Sequence, residues 1–216
     1  MAHLLGIVLP LALGAAVSPT VLAVQLLMLS SRTSPLGRAW AVAAGCALVL
    51  AGFAVIALLV AHTAGRHGSR SDAGAIVKLV AAALLVVLGL WTLRKPPRPP
   101  KPERQSAHPL QRAFLLGGGL MLTNFSSIVL FFPAMHEIGI SDASLGGKIG
   151  VFVVLYAMTL LPATAPPLIV TFLGPRAKAP LDRLNRLFVD HRSAVSATLC
   201  LGFAMLLTAE GIAALL

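Results

Sequence analysis

The chain has 216 residues, of which 57% are hydrophobic and only 11% charged, with a formal net charge of +10. So little polar surface excludes an ordinary soluble domain of this length. At about 20 apolar residues per span, six helical spans and their loops take up nearly the whole chain, leaving no room for a separate soluble domain.

The first apolar run, residues 4–29, contains no Lys, Arg, Asp or Glu. It lacks the basic leader of a signal peptide and reads as a retained helix. The second, 39–61, is equally free of those charges, and the third, 73–93, carries only Lys78 near its start. The fourth is 113–135, the fifth 149–173 and the sixth 194–216, with Glu210 near its end. These runs predict an all-α integral membrane protein with six transmembrane helices in a 3+3 inverted repeat: residues 1–93, a basic Pro-rich linker over 94–112, and residues 113–216. Three spans per half force the halves into opposite orientation. Cys46 and Cys200 lie far apart inside apolar runs, without metal-type spacing, and read as small buried hydrophobes.

Thirteen Lys and Arg residues fall on the side holding the loops after spans one, three and five, against four on the other side. The positive-inside rule therefore places those loops in the cytoplasm and both termini outside. Basic residues so distributed set topology and meet anionic lipid headgroups; they do not indicate nucleic acid. The linker is rich in proline and basic residues, which predicts an extended, semi-rigid connector. Residues 180–191 place Leu181, Leu184, Leu187 and Phe188 at helical spacing opposite Asp182, Arg183, Arg186 and Asp190, the pattern of an interfacial helix.

Polar groups inside a bilayer are costly, so they locate candidate sites. Span one is interrupted by Ser18, Pro19 and Thr20, followed by Gln25. Span four carries Thr123, Asn124, Ser126 and Ser127 at its middle, preceded by Gly117, Gly118 and Gly119. Paired breaks in corresponding helices point to a midplane substrate site in inverted-repeat transporters. The alternative is that each break is ordinary packing, with Ser, Thr and Asn bonding across helices to hold the bundle. The glycines suit a close helix contact, because no Lys-Ser or Lys-Thr follows them to make a phosphate loop. Thr159, Pro162, Thr164, Pro166 and Pro167 predict that the cytoplasmic half of span five unwinds or bends. His3, His62, His67, His136 and Glu137 fall near the outer side and read as water-facing interfacial residues, with no metal-ligand spacing. No nucleophile-base-acid constellation or acidic pair marks an enzyme, and neither a catalytic residue nor a cofactor is expected.

The opening LPLALGAAVSPTVLAVQLLMLSSRTSPLGRAWAVAAG and the later FLLGGGLMLTNFSSIVLFFPAMHEI resemble the GAP family, the glycopeptidolipid- and sulfolipid-addressing proteins of the lysine-exporter superfamily. The resemblance places Pro19 and Asn124 at the helix breaks, and Pro133 and Glu137 at the outer end of span four. It implies a six-helix fold in the bacterial inner membrane and a role in moving envelope lipids or glycolipids. It supplies no binding residues. The membrane cysteine pairs and acidic or His-rich sites of other superfamily branches are missing here.

The combined reading is a multi-pass transporter or flippase-like factor whose substrate is a membrane lipid or glycolipid. A small-solute exporter and a non-transporting scaffold, acting as a homo-oligomer or with a lipid-export partner, are the alternatives. The charge asymmetry yields a direct test. With Cys46 and Cys200 replaced, a cysteine at Ser106 should resist an impermeant thiol reagent in intact cells while one at Ser69 reacts. The reverse pattern would overturn the orientation.

Overall fold

The structure, a computed structural model, describes residues 2–31, 34–66, 79–80, 82–87, 90, 109–177, 181, 183 and 192–213. Among these, all regular structure is helical: α1 (Ala2–Ala16), α2 (Pro19–Leu29), α3 (Pro35–Arg66), α4 (Pro109–Leu122), α5 (Phe125–Ile140), α6 (Leu145–Leu173), a 3-10 turn (Gly174–Ala177) and α7 (Arg192–Ala213). Segments within 79–90 are also helical and bury Ala82 and Leu85 in the core. The rest of the expected third span, most of the 94–112 connector and nearly all of the amphipathic 180–191 stretch lie outside the described residues. The last four residues expected in the connector, 109–112, are already helical at the start of α4. Proline is suited to a first helical turn, where its missing N–H would have had no intrahelical partner.

Two helical segments, Pro35–Leu59 and Leu145–Leu173, are each long and apolar enough to cross a membrane. Two bent pairs each make a further span if taken together: α1 with α2, bent by 49°, and α4 with α5, bent by 67°. The described residues thus account for two to four spans. The order repeats: a broken pair, a short turn, then a long helix. Packing repeats as well. α3 lies against α4 as α6 lies against α1, α3 meets α5 as α6 meets α2, and the two long helices touch each other. A cation occupies the fourth residue of each long helix, Arg38 in α3 and Lys148 in α6. Lys148 Nζ donates to Gly139 O at 3.0 Å, meeting the end of the preceding half-helix where carbonyls lack helical donors.

α3 and α4 pack with their backbones in close approach. A side chain at Gly45 would strike the backbone of Phe114 and Gly118, and one at Gly117 the backbone of Val42. Cys46 is buried at this crossing and its Sγ donates to Gly117 O at 3.3 Å. The glycine run is therefore a packing surface at Gly117, while Gly119 faces open space. Further along α3, Tyr156 of α6 donates its hydroxyl to Ala47 O at 2.7 Å, and Phe53 meets Phe132 of α5 edge-on at 6.0 Å.

Two expectations need correction. α6 runs unbroken through Pro162, Pro166 and Pro167 and does not unwind. His136, expected to face water, is buried in α5 at 7% exposure, because its face of the helix packs inward with Met135 and Ile138.

The α3–α4 crossing can be tested by adding one methyl group. Gly45→Ala and Gly117→Ala should each destabilise the purified protein by at least about 1–3 kcal/mol, since the obstructing atoms are backbone and cannot rotate away. Gly119→Ala should cost nothing measurable. Thermal unfolding in detergent provides the comparison, and equal melting temperatures for all three would contradict the crossing.

Candidate functional site at the paired helix breaks

The first break follows from Pro19. Having no N–H, it cannot bond Ala15 O four residues earlier, and its ring disfavours helical geometry for Ser18. The chain turns through Val17 and Ser18, with Val17 N donating to Gly14 O and Ser18 N to Ala16 O, both at 3.2 Å. Ser18 becomes the N-cap of α2 at φ −124°, ψ 89°. The second break has no proline. Thr123 N still reaches Gly119 O at 3.1 Å, but Asn124 N bonds Met121 O at 3.2 Å, tightening the last turn, and Asn124 caps α5 at φ −83°, ψ 65°.

An N-cap side chain ordinarily accepts a bond from an amide of its own first turn. Neither Ser18 nor Asn124 does so. They meet each other instead. Asn124 Nδ2 donates to Ser18 Oγ at 3.0 Å and to Ser127 Oγ at 2.9 Å, while Ser126 Oγ donates to Asn124 Oδ1 at 3.2 Å. Ser127 Oγ passes its own proton to Ala15 O at 2.8 Å. That carbonyl is the one Pro19 left without a donor. A buried carbonyl with no partner costs about 1–3 kcal/mol, and water is scarce inside a bilayer. The hydroxyl of α5 thus repairs the break in α1.

A second repair mirrors the first. Pro167 withholds the N–H that would serve Ala163 O. Gln25 of α2 supplies it: Nε2 donates to Ala163 O at 2.7 Å and to Ala39 O of α3 at 3.1 Å. Gln25 is fully buried, and its Oε1 has no hydrogen-bond partner. This cross-helix donor helps explain why α6 stays helical across its prolines.

The eight residues singled out from sequence therefore separate. Ser18, Asn124, Ser126 and Ser127 converge on one cluster, with Pro19 buried at its edge. Gln25 lies in its own junction between α2, α3 and α6. Thr20 and Thr123 are exposed, and the Thr123 hydroxyl turns back to Gly119 O and Leu120 O at 3.0 and 3.1 Å. Sequence reasoning missed the backbone members, Ala15 O, Ala39 O and Ala163 O. The carbonyl four residues before a proline is predictable as an orphan; which side chain answers it depends on tertiary packing.

A family model described as Sap, sulfolipid-1-addressing protein matches residues 8–213, nearly the whole chain. No curated protein and no solved structure matches it.

The repair of Ala15 O predicts a specific coupling. Ser127→Ala should destabilise by about 1–3 kcal/mol where Pro19 is present. In a Pro19→Ala background the restored N–H can serve Ala15 O, so the same substitution should cost much less, giving a coupling of about 0.5–3 kcal/mol. Chemical unfolding of the four variants measures it, and strict additivity would contradict the assignment.

Proposed function

The chain belongs to the sulfolipid-1-addressing protein family, and from that premise we propose that it moves a lipid or glycolipid headgroup across the bacterial inner membrane toward the envelope. The observation that carries the reading is the meeting of two broken helices at their N-caps, Ser18 and Asn124. Broken spans in corresponding positions are how transporters place backbone polar groups at membrane depth. The reading takes the chain as six spans in two inverted halves, with both termini outside. The repeated order of elements, the exchange of packing partners and the matching Arg38 and Lys148 support that arrangement.

A proton- or cation-coupled carrier ordinarily needs an ionisable group at depth. The polar residues at these breaks are hydroxyls and amides. A lipid carrier has less need of charge, because the acyl chains stay in the bilayer and only the headgroup passes. The basic cytoplasmic segments, by the proposed topology, gather anionic headgroups at the inner surface. Competing with this is a non-transporting scaffold role in a lipid-export complex, favoured by one specific observation: most hydrogen-bond donors at the breaks are committed to holding helices together.

Liposomes separate the readings. Purified protein should speed exchange of a headgroup-labelled lipid between leaflets, with the rate unchanged when a pH gradient is collapsed. Asn124→Leu, if folded, should slow it roughly tenfold, the effect of one lost polar partner. No acceleration by the pure protein, with a stoichiometric partner copurifying, would favour the scaffold. Proton-coupled movement of an amino acid or metal ion without lipid exchange would favour a small-solute exporter.

A further inference from the structure

Hydrogen-bonding capacity around the two repairs is unbalanced. Asn124 uses both amide hydrogens, on Ser18 and Ser127; Ser126 and Ser127 each use their hydroxyl proton; Gln25 uses both of its amide hydrogens. Of the buried side chains in that set, Ser18 alone retains a proton to give. An acceptor remains. Gln25 Oε1 is buried without a partner, on the same amide whose nitrogen bonds Ala163 O in the proline-rich stretch of α6. Thr159, Ala163, Pro166 and Pro167 are buried on that stretch, where Gln25 joins it.

An anion such as a sulfate or phosphate is bound by donors, and the amide and hydroxyl donors of the two repairs, Ser18 excepted, are committed. A bare cation would need several oxygen ligands and, at this depth, a compensating carboxylate; neither Asp nor Glu occurs in α2, α3 or α6. A neutral group that donates hydrogen bonds fits both constraints. We infer that Gln25 Oε1, at the junction of α2, α3 and α6, is a recognition point for a neutral hydroxyl of the transported headgroup, and that the headgroup's anionic part is not read there. This rests on the transport reading above and adds the chemistry that the interior selects. The side chain is fully enclosed in the present arrangement, so the hydroxyl reaches it when α2 moves away from α6. That movement breaks the Gln25–Ala163 bond, so a headgroup carrying several hydroxyls must also donate to Ala163 O and accept from Gln25 Nε2 for no buried polar group to be left unpaired.

The test uses the full chain in phosphatidylcholine nanodiscs, with retained lipid read by native mass spectrometry. The probes are a glucosyl diacylglycerol, its tetra-O-methyl analogue and hexadecyl sulfate. The glucosyl lipid should be retained at least about tenfold better than the methylated form, which has similar shape but no donors. Hexadecyl sulfate should not displace it. Gln25→Leu combined with Pro167→Ala returns an N–H to Ala163 O while deleting Oε1, and should abolish the preference; should that variant not fold, the methylated probe on the unaltered chain decides. Equal retention of both glucosyl forms, as expected if water alone satisfies Oε1, would overturn the inference, as would displacement by the sulfate. Preference for the hydroxylated probe without lipid exchange in liposomes would instead refute transport and leave the recognition point standing.

Discussion

A peptide group inside a bilayer has almost no water to bond, so every N–H or C=O released by a proline must find a partner within the protein. This constraint organises the described structure. Pro19 releases Ala15 O and Pro167 releases Ala163 O, and each carbonyl is met by a side chain from the opposite half of the chain. Ser127 reaches from α5 to α1, and Gln25 reaches from α2 to α6. The two successions of broken pair and long helix are thereby stitched together at the places where each is weakest.

The same stitching bears on function. A helix break held by a hydroxyl or an amide can be released at modest cost, because such interhelical bonds in membranes are worth only about 0.6–2 kcal/mol each. The crossing of α3 and α4 is different in kind. There Gly45 and Gly117 bring backbones into contact, and no small rearrangement of side chains can loosen it. A rigid seam beside two mendable breaks is a mechanical division suited to the proposed passage of a headgroup.

Much of this was legible in the sequence. Apolar runs located α1 with α2, α3, α4 with α5, α6 and α7, because the thickness of a bilayer demands long uncharged stretches. Pro19 marked the first break, and Asn124, with short polar neighbours, marked the second. The glycine run announced a close contact, though only packing shows that Gly117 makes it and Gly119 does not. In the proline-rich part of α6, expected to unwind or bend, the unwinding does not occur, and nothing local reveals that Gln25, 138 residues away from Ala163, supplies the missing donor. His136 misled for a related reason: a polar residue near a helix end reads as water-facing until the neighbouring helices cover it.

Chemical cross-linking of the two breaks tests the account most directly. With Cys46 and Cys200 replaced, cysteines at Ser18 and Asn124 should be joined within one chain by a short bifunctional thiosulfonate in native membranes, because the side chains at these positions lie 3.0 Å apart. A pair at Thr20 and Thr123, both exposed and not bonded to each other, provides the comparison and should react far less. Efficient joining of Ser18 and Asn124 as a monomer is the predicted result. Labelling of both cysteines without an intramolecular cross-link would contradict the meeting of the two breaks on which the rest depends.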